Sequence, residues 1–147
     1  GSLPATYGDL TICDHAGNYP TVISGNGNTV ATFTIETPAD AAKYNDVTLT
    51  VSTDLNLTSL VATGRSDSLI HLISSTAGTA AKLSDTTGTN TVRYCSIDDI
   101  TVEGGATWDA SDGTNVEVSG SVGTGWTWPS STTPLTSSLS DNINLDY

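Results

Sequence analysis

The feature that most constrains this chain is the regular alternation of apolar and polar residues over several segments. In one segment the apolar residues Ala31, Phe33 and Ile35 stand at every second position. In the next segment the apolar residues again fall at odd-numbered positions, over a longer stretch: Val47, Leu49, Val51, Leu55 and Leu57. Because alternate side chains of a β-strand point to the same face, the pattern predicts strands that bury one face. Near Leu60 the alternation shifts by one residue, and residues 69–73 are apolar on both parities apart from His71, which is typical of a strand covered on both sides.

The amino-acid composition also favours strands. Threonine and serine supply 26 and 18 of the 147 residues, and both prefer strands and turns to helix interiors. A chain of this length fits one domain with a single core. We therefore predict an all-β domain over residues 1–128 in which a set of apolar side chains faces inward: Val47, Leu49, Val51, Leu55, Leu57, Ile70, Leu72 and Ile97.

The charge balance restricts the classes of partner. Sixteen acidic residues against four basic ones give a formal net charge of -12, which repels phosphate backbones and anionic lipid surfaces. Nucleic acid is therefore not expected as a partner. No apolar run approaches the ~18 residues of a membrane-spanning helix, so membrane insertion is not expected either.

The two cysteines, Cys13 and Cys95, are far apart in the sequence. Neither belongs to a Cys-x-x-Cys or Cys/His spacing that would predict a zinc site. Two interpretations remain open: a disulfide that closes a long loop, or two buried free thiols.

The sequence contains few candidates for catalytic residues. The chain has no Gly-x-Ser-x-Gly motif, and its histidines are His15, beside turn residues, and His71, inside an apolar run. Asp98 and Asp99 form the most obvious pair of carboxylates. Adjacent residues of a strand point to opposite faces, so this pair is not expected to flank one glycosidic bond. We predict that the protein has no catalytic residues and is not an enzyme.

One loop contains residues that could bind a metal ion. Asp109, Asp112 and Asn115 offer oxygen ligands around a turn glycine, and such ligands suit a hard cation such as calcium. The same residue types also form ordinary solvated turns. We therefore expect no cofactor, with calcium as the one metal that this loop could hold.

The C-terminal segment differs in composition from the rest of the chain. Residues 129–147 begin as an extended linker rich in Ser, Thr and Pro. The linker leads to an alternating segment in which Ile143, Leu145 and Tyr147 share a parity. An added strand of this kind can pair with an exposed sheet edge of another chain. We predict a terminal strand that makes a contact between subunits.

Several runs resemble a module of phage tail and head fibre proteins and of bacterial surface proteins. They cover residues 65–79, 92–99, the Gly-Gly-Ala-Thr-Trp string within 104–110, and Gly-Thr-Gly-Trp at 123–126. The resemblance implies a right-handed parallel β-helix of about six coils with an extended C-terminal strand. An antiparallel β-sandwich or jelly roll is the alternative fold. The resemblance implies no catalytic residue.

Two alternative roles are open for the tryptophans in that fold. Trp126 and Trp128 share a strand face and could form, with Trp108 and Tyr94, an aromatic platform on which sugar rings stack. Alternatively, Trp108 and a second tryptophan close the end of the coil stack.

Together these observations predict a non-enzymatic structural subunit of a surface assembly at a virion surface or outside the cell. A phage capsid decoration or fibre protein and an extracellular filament subunit both fit. The expected partners are copies of the chain itself and other virion or surface proteins. A glycan-binding or receptor-binding module of a fibre or adhesin is the alternative, with glycans as partners, and a polysaccharide depolymerase is the second alternative.

Overall fold

The computed structural model describes residues 5–13, 21–24, 26–37, 46–49 and 54–130, with the backbone alone for 46–49. Within these ranges every regular element is a β-strand. The strands of the N-terminal half are β1 (Thr6–Tyr7), β2 (Leu10–Ile12), β3 (Thr21–Ile23), β4 (Asn26–Ile35), β5 (Asp46–Leu49) and β6 (Asp54–Thr63). The remaining strands are β7 (Ile70–Ser74), β8 (Ala81–Asp85), β9 (Thr89–Arg93), β10 (Cys95–Asp98), β11 (Ile100–Gly104), β12 (Thr107–Asp109) and β13 (Val116–Glu117).

The strands stack in three columns of parallel pairs. The first column holds β1, the N-terminal parts of β4 and β6, and then β8 and β11. The second holds β2, the C-terminal parts of β4 and β6, and then β9 and β12. The third holds β3, β5, β7, β10 and β13. From β3 onward the chain visits the third, first and second columns in turn, so each circuit adds one level to the stack.

The all-β prediction is confirmed, and the sheets are parallel. Every pairing between the described strands is parallel, whereas an antiparallel sandwich requires antiparallel ladders. The antiparallel alternative therefore does not fit. The described ranges contain one antiparallel bridge, between Arg65 and Ser68, and it closes a local turn.

The two longest strands bend where they pass from the first column to the second. In β4, Val30 and Phe33 are both buried although three positions separate them, and in β6 Leu57 and Leu60 repeat this spacing. The two pairs lie in register, Val30 with Leu57 and Phe33 with Leu60. The parity shift near Leu60 is thus a bend. Ala31 is exposed, so the expectation that it shares a buried face with Phe33 and Ile35 is wrong: the bend transfers the inward position to Val30.

The core runs along the inside of the three columns. Five of the predicted inward residues are almost completely buried: Leu55, Leu57, Ile70, Leu72 and Ile97. The side chains of Val47 and Leu49 and the whole of Val51 lie outside the described residues. Each buried aliphatic side chain contributes about 1.5 to 3 kcal/mol relative to exposure. The stacked apolar interior is therefore the main source of stability.

Candidate functional site

Buried polar side chains hold the corners at which the chain turns from one column to the next. Asp99 lies between β10 and β11, is 3% exposed and has a positive φ of 54°. Its Oδ2 accepts a hydrogen bond from the Gly78 amide at 2.5 Å, and its Oδ1 accepts one from the Val122 amide at 2.7 Å. Gly78 precedes β8 in the circuit before, and Val122 lies in the circuit after. One carboxylate therefore joins three successive levels.

A second buried polar pair lies where β8 turns into β9. Asn90 Nδ2 donates a hydrogen bond to Asp85 Oδ2 at 2.9 Å, and Asn90 Oδ1 accepts one from the Leu60 amide at 2.7 Å. Asp85 Oδ1 also accepts a hydrogen bond from the Thr87 amide. The pair thus satisfies a backbone group at the bend of β6, one level earlier. In the sequence, the only sign of this pair is an Asp and an Asn that flank the Thr-Thr-Gly turn.

Asn115, one of the predicted metal ligands, is bonded to backbone groups at another corner. Its Oδ1 accepts a hydrogen bond from the Cys95 amide at 3.0 Å. Its Nδ2 donates to the carbonyl oxygens of Val92 at 2.8 Å and Ala110 at 3.1 Å. These bonds tie the loop after β12 to the corner between β9 and β10. The amide oxygen that could bind calcium is therefore already used by the fold.

The two carboxylates of the same loop are also engaged locally. Asp112 Oδ1 accepts hydrogen bonds from the amide and hydroxyl of Thr114, and its Oδ2 lies 3.3 Å from Arg93 Nε. Asp109 Oδ1 accepts hydrogen bonds from the hydroxyl and amide of Ser111, which lower the pKa of Asp109. Within the described ranges, no group of three or more His, Cys, Asp or Glu residues is arranged to hold a metal ion. Calcium binding stays a prediction from the sequence.

The tryptophans lie at the last levels of the stack. Trp108 is 3% exposed, and its Nε1 donates a hydrogen bond to the Glu103 carbonyl at 3.1 Å. Trp126 lies one level beyond, because Thr127 pairs with Asp109, and its Nε1 donates to the Ile100 carbonyl at 3.0 Å. The two rings meet edge to face with centroids 5.6 Å apart. They pack into the end of the core, so Trp108 presents no free ring face to a sugar.

The other two aromatic residues of the predicted platform do not share one position. Trp128 is half-buried and packs against the core beyond Trp126. Tyr94 lies at the corner between β9 and β10 with a φ of 51°, and its amide donates a hydrogen bond to the Thr114 hydroxyl. Tyr94 therefore lies at a corner of the stack, whereas the tryptophans lie at the last levels of the second column.

Asp98 and Asp99 differ in environment, because β10 ends at Asp98 and the chain turns at Asp99. Asp98 is half-buried on the outer surface of β10, and Asp99 is buried at the corner described above. Burial, and secondarily the charge of Asp99, raises the pKa of Asp98. His71 lies on the outer surface of β7 with its Cα in register with that of Ser96. His15 lies outside the described residues.

Of the two interpretations of the cysteines, the disulfide does not fit, because both cysteines are free thiols. Cys13 is exposed just after β2, at the first level of the second column, whereas Cys95 begins β10 just after β9, three circuits later. Strands stack ~4.8 Å apart, which separates these levels by roughly 14 Å. A disulfide requires Cα atoms within about 7 Å. The alternative of two buried free thiols holds for Cys95 alone.

The two thiols are expected to differ sharply in reactivity. Burial raises the pKa of the Cys95 thiol from 9.0 to about 12, and reactivity requires the thiolate. We therefore expect Ellman's reagent to titrate one thiol per native chain at pH 8 and the second only after denaturation. In the control variant Cys13→Ser, the native chain should show no fast reaction. Fast titration of two thiols in the native wild-type chain would contradict the burial of Cys95.

The buried Cys95 thiol is expected to make the free energy of unfolding fall as the pH rises in the alkaline range. Because the folded pKa lies above the unfolded one, the folded chain retains this proton where the unfolded chain loses it. The contribution is complete below about pH 9 and is lost as the pH rises towards about 12.

The predicted subunit contact of Ile143, Leu145 and Tyr147 lies outside the described residues, as does the segment from residue 131 onward. In the ranges that the structure does describe, no helix is long and apolar enough to cross a membrane. No protein-family model matches the chain, and no curated protein or solved structure shows significant similarity to it.

Proposed function

We propose that the chain forms a right-handed parallel β-helix and acts as a non-enzymatic structural subunit of a surface assembly. The regular circuit through three columns of parallel strands supports the β-helix. Crossover connections between parallel strands of one sheet are right-handed in nearly all proteins, which supports the handedness. The assembly is a phage capsid, a fibre or an extracellular filament.

The observation that carries this proposal is the use of buried polar side chains to join successive levels. Asp99 bonds to the circuits on both sides, and Asn90 bonds to the circuit before. Asn115 similarly connects its loop to the circuit before. Satisfied buried networks of this kind rigidify a fold and specify one arrangement. A stiff stack suits a protein that transmits load or holds a fixed spacing.

The charge of the chain supports a location at a virion surface or outside the cell. A net charge of -12 keeps a crowded array soluble but makes copies of the chain repel each other. Contact between subunits therefore requires a segment with little charge and some apolar surface. The alternating Ile143, Leu145 and Tyr147 meet that requirement in the sequence.

Native mass spectrometry tests the assembly role of this segment. The full chain is expected to form an oligomer through β-strand addition. Replacing Ile143, Leu145 and Tyr147 together with serine should convert that oligomer to a monomer. A matched control replaces Asn142, Asn144 and Asp146 with serine, which changes the same segment on the opposite parity and should retain the oligomer.

Two results would overturn the proposal. The first is the same number of subunits for the wild-type chain and for the variant in which the three apolar residues are serine. The second is saturable binding to a defined sugar on a glycan array, which would replace the structural role with the glycan-binding alternative.

A further inference from the structure

The outer surface of the second column carries two rows of mostly threonine side chains, which we call the threonine face. Its first row is in register through all six levels of the column: Thr11, Thr34, Val61, Thr91, Asp109 and Thr127. Its second row lies two residues earlier on four of the strands: Thr32, Ser59, Thr89 and Thr107. Threonine or serine occupies eight of these ten positions.

The hydroxyls of this face make no hydrogen bond within the described part of the chain, which sets them apart from hydroxyls elsewhere. Thr37 Oγ1 donates to the Thr63 carbonyl, Thr114 Oγ1 bonds to Asp112, and Ser121 Oγ accepts from the Asp99 amide. Most threonines of the face are exposed, with Thr32 and Thr34 half-buried. Their donors and acceptors are therefore available to a ligand or to water.

The face is supported by a packed layer beneath it. The residues between the two rows point inward and are almost completely buried: Phe33, Leu60, Asn90 and Trp108. Asn90 also bonds to the Leu60 amide, which locks two adjacent levels together. The one register shift between β4 and β6 lies at residues 26–28, in the first column. The spacing of the hydroxyls is thus fixed by the core.

The two rows of the face carry little charge, although exposed Arg93 lies in the next row of the same column, in register with Thr63. Asp109 is the one ionisable residue in the two rows, although the chain carries a net charge of -12. The outer surface of the first column is different, because Lys82 there pairs with Asp54 and Glu103. A face with one carboxylate among ten positions has no cluster of charges that would select an ionic ligand.

We propose that the threonine face binds ice. Side chains repeat about 4.8 Å apart along each row, and alternate residues of a strand place the two rows about 6.6 Å apart. This two-dimensional array of hydroxyl and methyl groups has spacings close to those of water oxygens on ice crystal faces. Water ordered on the free hydroxyls can then join the lattice, while the core prevents the array from rearranging.

Two other occupants fit the face less well. Six levels span roughly 24 Å, and a face about 14 Å wide then buries roughly 300 Å² per partner, against about 800 Å² in a stable interface. A second copy is therefore too weakly held. A sugar chain lacks a stacking platform here, since Trp108 lies on the inner side of the same strand.

Thermal hysteresis, the gap between melting and freezing points of an ice crystal in protein solution, tests the proposal with the full chain. We expect a measurable gap and faceted crystals. Thr34→Lys and Thr91→Lys place a long charged side chain in the first row and should each remove most of the gap. The matched control is Ser96→Lys on the outer surface of the third column, which should leave the gap unchanged. Circular dichroism verifies that each variant is folded.

A gain-of-function variant separates ice binding from a general effect on folding. Val61 is 46% exposed and interrupts the first row between Thr34 and Thr91. Val61→Thr gives an unbroken run of threonines from Thr11 to Thr91 and should widen the gap. The proposal is overturned if the wild-type chain shows no hysteresis, if Ser96→Lys reduces the gap as much as Thr91→Lys, or if the chain binds crystalline polysaccharide and not ice.

Discussion

Replacing Trp108 with alanine is expected to lower the free energy of unfolding by about 3 to 5 kcal/mol. Trp108 is 3% exposed and fills the interior of the second column at its fifth level. The truncation would leave a cavity, remove the edge-to-face contact with Trp126, and leave the Glu103 carbonyl without its indole donor. The last levels should therefore loosen together.

Chemical denaturation followed by circular dichroism measures this loss. Trp108→Phe is the matched variant, because it keeps an aromatic ring in the core but removes the indole N–H, and it should cost less than alanine. Trp128→Ala, at a half-buried position, should also cost less. Wild-type stability of Trp108→Ala together with loss of glycan retention would contradict the packing role and support the glycan-binding alternative.

Alternation in the sequence was sufficient to predict which residues of a regular strand face inward. Leu55, Leu57, Leu72 and Ile97 are buried as predicted, since parity depends only on local strand geometry. Ala31 fails because a bend exchanges inward and outward positions, and bends depend on the neighbouring level. Local pattern alone cannot reveal that β4 and β6 bend in register.

The corner residues show why the candidate site was harder to predict. Asp112 and Asn115 have the chemistry of both metal ligands and turn caps, and only their partners decide between the two roles. The partners of Asn115, the Cys95 amide and the Val92 carbonyl, lie about twenty residues earlier in the chain. Asp85 and Asn90 indicated only a turn, because their burial depends on the bend of β6 beneath them.

The threonine face is not evident from the sequence for a related reason. Threonine is common on exposed strand surfaces, so each segment taken alone indicates only a strand. The two rows emerge when Thr34, Val61 and Thr91 are placed in register across three circuits. The register joins residues about thirty positions apart, so no single segment of the sequence predicts it.

Replacing Gly104 with alanine is expected to lower the free energy of unfolding by about 2 to 5 kcal/mol, from left-handed backbone strain and overpacking combined. Gly104 has a φ of 99° and ends β11 directly over Asp85. A Cβ at this position would collide with the Asp85 carbonyl oxygen, which accepts a hydrogen bond from the Ala106 amide. Backbone atoms in a stacked level cannot move aside as a flexible side chain can.

Gly113→Ala separates the collision from the backbone strain. Gly113 also has a positive φ, 79°, but no atom lies within 4 Å of the position that a Cβ would occupy. Alanine there should cost only the left-handed strain, about 1 to 2 kcal/mol. The excess loss at Gly104 should extend to the second column, because Asp85 anchors Asn90, which bonds to the Leu60 amide. Hydrogen exchange at the Leu60 amide should therefore accelerate in Gly104→Ala and not in Gly113→Ala. Equal stability losses in the two variants would show that successive levels are not held in contact at this corner.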